Sequence, residues 1–61
     1  MKKQRKIIFY AITFDIEEHT VCIISPFLLI ESDKVILIDA FDKQGYQIPF
    51  KDISNLKIET L

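Results

Sequence analysis

The residue types that do chemistry gather at one point in this chain, where Asp15, Glu17, Glu18, His19 and Cys22 follow one another closely. In an extended segment, Asp15, Glu17 and His19 fall on one side, where a carboxylate–imidazole metal site would need them. A second histidine or cysteine is missing from the set, and so is the glycine of a calcium loop. The cluster therefore reads as a solvated polar loop. His19 and Cys22 are the residue types of a thiolate nucleophile and its base. They sit on opposite phases of a strand with no activating group beside them, so Cys22 reads as a small core side chain. The single glycine cannot build a phosphate cradle, and no serine–histidine or paired-carboxylate motif occurs. The expectation is a chain that is not an enzyme and that holds no metal and no cofactor.

Two other polar features stand out. Asp39 lies in an apolar run, on the phase of Leu37 and Phe41. A carboxylate there belongs at an exposed strand position, makes a specific hydrogen bond, or faces a partner. The second feature is the basic arm Lys2, Lys3, Arg5 and Lys6, which carries four of the eight cationic residues. The residues after it hold four lysines against nine acids, a net −5. An arm of this kind contacts phosphates or simply solubilises a terminus. The acidic body behind it favours the second role, which makes residues 1–5 a flexible arm and residues 6–61 a single domain.

With 61 residues the chain is one domain at most. A chain of this size buries roughly 60% of its unfolded surface, which leaves it marginal. One cysteine forms no internal disulfide and one histidine makes a structural zinc site improbable, so dense packing and association remain. The 49% apolar content belongs to a folded chain. No apolar run approaches the roughly 20 residues of a membrane helix. The basic start lacks a small-residue cleavage site. A lone thiol suits a reducing cytoplasm. These features lead to the expectation of a cytoplasmic, non-membrane protein.

Five extended segments account for most of the chain. Residues 6–14 are β-branched and aromatic, the types that fit a pleated surface. Residues 15–19 form a polar loop. Residues 20–31 make one long bent strand, or two short ones meeting at Pro26, which lacks a backbone donor. Residues 31–34 form a tight turn, with Asp33 as a candidate for the left-handed conformation. Strand 34–41 leads into Asp42-Lys43-Gln44-Gly45, where Asp first and Gly fourth predict a type I turn with a glycine bulge. Residues 46–50 return, with Pro49 directed outward on an edge. Residues 51–55 are too short for an α-helix, and the spacing of Ile53 and Leu56 suits one 3-10 turn. Residues 57–61 close the sheet. The fold class is all-β.

A half-buried strand alternates apolar and polar residues, and three segments here do not. In the first, Ile7, Phe9 and Ala11 oppose Ile8, Tyr10, Ile12 and Phe14. In the second, Val21 and Ile23 oppose Cys22 and Ile24, and in the third, Val35, Leu37 and Phe41 oppose Ile36, Ile38 and Ala40. One small core cannot cover both sets, so the surplus predicts a contiguous surface that meets another copy or a protein partner. The candidate partner-binding residues are Ile7, Phe9, Tyr10, Val35, Leu37, Asp39 and Phe41. Lys2, Lys3, Arg5 and Lys6 are the candidates for a nucleic-acid contact.

The segment Gly45 to Ile58, centred on Ile48-Pro49-Phe50-Lys51-Asp52-Ile53, resembles the ending of small bacterial and phage SH3-like and Sm-like domains. In those domains a glycine-containing turn leads to an apolar-Pro-apolar strand, a short turn and the last strand. The resemblance implies a five-stranded antiparallel barrel or bent sheet with one 3-10 turn before the final strand, and carries no function by itself. The expected role is a small interaction or regulatory module, an adaptor or inhibitor of the kind phages encode. It would act through exposed strand edges and apolar faces. The alternative is a nucleic-acid-binding barrel that uses the basic arm.

Overall fold

A computed structural model describes residues 7–61. Six strands and one 3-10 turn follow in order. They are β1 (Tyr10–Ile16), β2 (His19–Ser25), β3 (Leu28–Ile30), β4 (Lys34–Ile38), β5 (Gly45–Pro49), the turn (Phe50–Asp52) and β6 (Ile53–Thr60). They form two antiparallel three-stranded sheets, ordered β2-β1-β6 and β3-β4-β5. The sheets do not close into a barrel, and the strand count is six rather than five. The extra strand arises at Pro26, where the 20–31 segment breaks into β2 and β3.

The core lies between the sheets. The inward phase of β1 supplies Ile12 and Phe14, and the inward phase of β4 supplies Val35 and Leu37, all buried. Tyr10, Ile16, Val21, Ile23, Leu28, Ile48, Ile53 and Ile58 pack around them, half-buried. The other phase of β1 and β2 is mostly polar. Thr13 pairs with Cys22 and Lys57, and Asp15 with Thr20 and Ser54. Cys22 is therefore exposed and not in the core.

Ser25 joins the two sheets. It ends β2, is fully buried, and uses the whole capacity of its hydroxyl. Its Oγ donates to the Phe27 carbonyl and accepts from the Phe27 N–H and the Ile38 N–H, both at 3.0 Å. Pro26 sits between the two bonded positions and supplies no donor of its own. Beside it, the Ala40 N–H donates to the Ile24 carbonyl at 2.8 Å. A strand that must turn a corner loses ladder bonds there, and this one hydroxyl replaces them.

The turns use other residues than expected. The β1–β2 loop is only Glu17–Glu18, since Ile16 pairs with His19. Glu17 has φ 56°, at the first central position, where II′ hairpins place glycine. In the β4–β5 loop the left-handed residue is Lys43 (φ 63°), and Gly45 has no positive φ. The expected glycine bulge is therefore absent: β4 ends at Ile38, Asp39 opens the loop, and Gly45 is already the first residue of β5, paired with Ile38. Asp33 is not left-handed either. The 31–34 turn is held by the Glu31 N–H on the Lys34 carbonyl at 2.9 Å. The third left-handed residue, Asn55 (φ 55°), marks a bulge in β6, where the register shifts between Thr13 and Asp15. The 3-10 turn precedes the last strand as expected, though that strand begins at Ile53.

Two substitutions test this account. Ser25→Ala leaves the part-buried N–H groups of Phe27 and Ile38 without their acceptor. A fully buried orphaned donor costs about 1–3 kcal/mol, so chemical denaturation is expected to show a loss of about 1–3 kcal/mol for the pair. Gly45→Ala places a Cβ 3.9 Å from the Leu37 carbonyl oxygen, an ordinary contact. Melting of this variant is expected to be unchanged or raised by the equivalent of roughly 0.5 kcal/mol. A clear loss would restore Gly45 to a bulge role.

Candidate binding cleft

The loop between β4 and β5 is the most tightly specified part of the surface. The Asp39 carboxylate accepts the Phe41 N–H at 2.8 Å, and the Asp39 carbonyl accepts the Lys43 N–H at 2.7 Å. The Asp42 carboxylate accepts the Gln44 N–H at 2.9 Å with one oxygen and the Tyr46 hydroxyl at 2.6 Å with the other. These are two successive Asx-type turns, the local geometry that aspartate offers a backbone. The bond to Asp42, together with desolvation and the charges of Asp42 and Asp39, holds the Tyr46 phenol above its ordinary range. Tyr46 thus stays neutral and keeps donating at physiological pH.

This loop forms one wall of a cleft of about 300 Å³, lined by Ile7, Phe9, Pro26, Ile38, Asp39, Ala40 and Lys43. The residues before β1 form another wall. They are held near the chain's end, because the Leu61 N–H donates to the Phe9 carbonyl at 2.9 Å. The cleft is apolar at its walls, with one carboxylate and one ammonium group among its lining residues. No group in this set resembles a nucleophile with its base, and the arrangement suits the capture of an apolar side chain.

Three of the residues expected to meet a partner, Ile7, Phe9 and Asp39, come together in this cleft. Phe41 is 82% exposed on the adjoining loop. Tyr10 is half-buried against the core. Val35 and Leu37 are a correction: both are completely buried and meet no partner. Their phase was inverted, and in a strand a shift of one residue exchanges the two faces. The outward residues of β4 are Ile36 and Ile38. With Leu29, cross-strand from Ile36, they form an apolar strip on the outer face of β3-β4-β5. Asp39 also differs from expectation, because it lies past the strand and organises a turn. Pro26, Ala40 and Lys43 were not foreseen as lining residues. The signal available for them was the Pro26 break beside an apolar run. The basic residues Lys2, Lys3, Arg5 and Lys6 lie outside the described residues.

The acidic cluster near residue 15 has a structural role. Asp15 accepts from the Thr20 hydroxyl at 2.7 Å and from the Asn55 amide at 2.8 Å, which ties β2, β1 and β6 together at one end. Among the described residues no three His, Cys, Asp or Glu side chains converge as metal ligands. Also among them, no helix is long and apolar enough to cross a membrane. No protein-family model, curated protein or solved structure matches the chain.

The hydrogen bonds from Asn55 and then Thr20 hold the Asp15 carboxyl below its ordinary range. A carboxyl depressed in the folded state stabilises the fold above its unfolded pKa, and that contribution is lost as pH falls through the folded value. Unfolding measured against pH is expected to show wild type ahead of Asp15→Ala at neutral pH. The gap should narrow as the solution becomes acidic. A gap that stays constant with pH would remove Asp15 from this role.

Proposed function

We propose that this chain is a small, non-enzymatic interaction module, an adaptor or inhibitor that docks through apolar surface and associates with itself or a protein partner. The observation that carries the reading is how little of its apolar content the core absorbs. Among the described residues five hydrophobic residues are buried, while ten large ones are exposed. Isolated surface apolars are ordinary, but contiguous ones mark contact sites. Leu29, Ile36 and Ile38 are contiguous, and Ile38 also lines the cleft, which makes the strip and the cleft one continuous surface.

Three of the four sheet edges are poor docking sites, and the fourth, β2 (His19–Ser25), is a regular edge open to strand addition. β3 has three residues, β5 ends in Pro49 and β6 carries the Asn55 bulge. Each of these features discourages strand addition. In this proposal the fold is an open relative of the SH3-like group. If β2 and β3 are counted as halves of one strand bent at Pro26, the number is five, and a 3-10 turn precedes the last strand. The basic arm supports the alternative of a nucleic-acid binder.

A pull-down with identification of bound material separates the two readings. The baits are the wild type, a Leu29→Ser/Ile36→Ser double variant, and a chain lacking residues 2–6. A specific protein is expected to be retained at high salt and by the truncated chain, and lost from the double variant. Nucleic acid that is released by salt and lost with the arm would overturn the proposal, because phosphate binding falls steeply with ionic strength.

A further inference from the structure

Hairpin geometry decides which backbone groups of β2 are left over. The β1–β2 loop has two residues, so Ile16 and His19 form a hydrogen-bonded pair and the ladder alternates from there. His19, Val21, Ile23 and Ser25 turn their N–H and C=O groups toward β1. Thr20, Cys22 and Ile24 turn theirs away from it. The structure carries its own check on this phase, because the Ile24 carbonyl accepts the Ala40 N–H at 2.8 Å from outside the sheet. One residue of backbone is thus already added at that end. The N–H and C=O groups of Thr20 and Cys22 make no backbone hydrogen bond among the described residues.

No device closes this edge. β2 pairs with β1 from Ile16↔His19 to Tyr10↔Ser25 without a register shift, and Thr20 to Ser25 include no charge and no proline. The other margins are blunted, β6 by the Asn55 bulge, β5 by Pro49 and β3 by its length. Each copy therefore offers one regular edge, and two copies that meet edge to edge meet there. We propose that β2 binds β2 of a second copy, antiparallel across a two-fold axis at Val21. This inference rests on the reading of the chain as an interaction module, and it names the partner as a second copy held by main-chain bonds.

The occupied Ile24 carbonyl sets the register. A two-fold at Cys22 would pair Ile24 with Thr20, and Ala40 stands in that place. A two-fold at Val21 instead pairs Thr20 of each copy with Cys22 of the other, and every outward N–H and C=O group of these two residues finds a partner. The two Val21 side chains form the non-hydrogen-bonded pair on the axis, where side chains approach most closely. Val21 and Ile23 lie half-buried at the margin of the core. Pairing covers them from the side that the fold leaves open, an apolar gain added to the backbone bonds. An isologous contact of this kind uses up the edge of both copies and stops at two.

A strand pair of this length buries less than the about 1,200 Å² at which stable interfaces begin, so the dimer is weak, with a Kd on the order of 100 µM to 1 mM. Its ends carry charge. Glu17 and Glu18 of one copy come beside the 39–43 loop of the other, where Asp39 and Asp42 outnumber Lys43. Salt screens that repulsion, so association strengthens with ionic strength. A phosphate contact by the basic arm would weaken instead.

Sedimentation equilibrium of the full chain under reducing conditions, up to about 2 mM, reads the pairing directly. The expected result is a monomer–dimer equilibrium for the wild type, for Cys22→Ser and for the Leu29→Ser/Ile36→Ser variant. Cys22→Lys puts a charge on the edge at an exposed position. It should weaken association at least about tenfold and keep the wild-type circular dichroism spectrum. Under mild oxidation, Val21→Cys/Cys22→Ser should form a disulfide-linked dimer, since a non-hydrogen-bonded pair sets its Cα atoms about 4.5 Å apart, within disulfide reach. Ile23→Cys/Cys22→Ser, whose opposite residue is His19, should form one at least about tenfold more slowly. A wild type that stays monomeric over the whole range overturns the inference. So does a Cys22→Lys variant that dimerises as well as the wild type, or faster crosslinking at position 23 than at position 21. If the dimer is lost in Leu29→Ser/Ile36→Ser and kept in Cys22→Lys, the interaction reading stands while the edge assignment fails.

Discussion

The hydroxyl of Ser25 is the point on which the two sheets depend. The chain must change direction between β2 and β3, and a corner of this kind breaks the ladder on both sides. A backbone donor left dry in the interior costs as much as several good contacts return. Ser25 meets that demand with one donor and two acceptor sites, all in use. Valine would be nearer the apolar character of its neighbours, but it would satisfy none of these groups. Because Ser25 anchors the end of β4 through Ile38, it also fixes where Asp39 starts the loop, and through the loop it fixes the cleft.

The all-β class was legible because the β-branched and aromatic residues are dense and helix signals are missing. The Pro26 break and the final 3-10 turn were legible because proline and short spacings act locally. The phase of β4 was not. Val35, Ile36, Leu37 and Ile38 are chemically alike, and an all-apolar strand carries no alternation to say which side faces in. The inverted phase placed two core residues, Val35 and Leu37, on the expected surface. The turn chemistry misled for a related reason. With a single glycine in the chain, the left-handed positions went to Glu17, Lys43 and Asn55, and only asparagine among these advertises the conformation in sequence. Ile7, Phe9 and Asp39, which line the cleft, stood out in the sequence because apolar surplus and an isolated carboxylate are visible one residue at a time. Pro26, Ala40 and Lys43 join them only through the fold.

A chain this small divides its hydrophobic residues between two tasks. Ile12, Phe14, Val35 and Leu37 hold the sheets together, while Leu29 and Ile38 are exposed and Ile36 is half-buried on the outward phase. The two groups alternate along β4 itself, so the strand that centres one sheet also presents the exposed strip. The core and the exposed apolar strip are thus coupled through a single segment. Substitutions on the outward phase should have little effect on folding, since they empty no cavity.

The interruptions along the sheet margins have a consequence for where a further strand could pair. The β6 bulge, the terminal Pro49 of β5 and the three-residue length of β3 interrupt three of the four margins, whereas β2 (His19–Ser25) leaves a regular edge that is met only at its end, by the Ala40 bond at Ile24. Growth by repeated edge addition would have no end point and would lead toward filaments. The described chain therefore confines regular strand addition to one margin, β2, and blunts it at the other three.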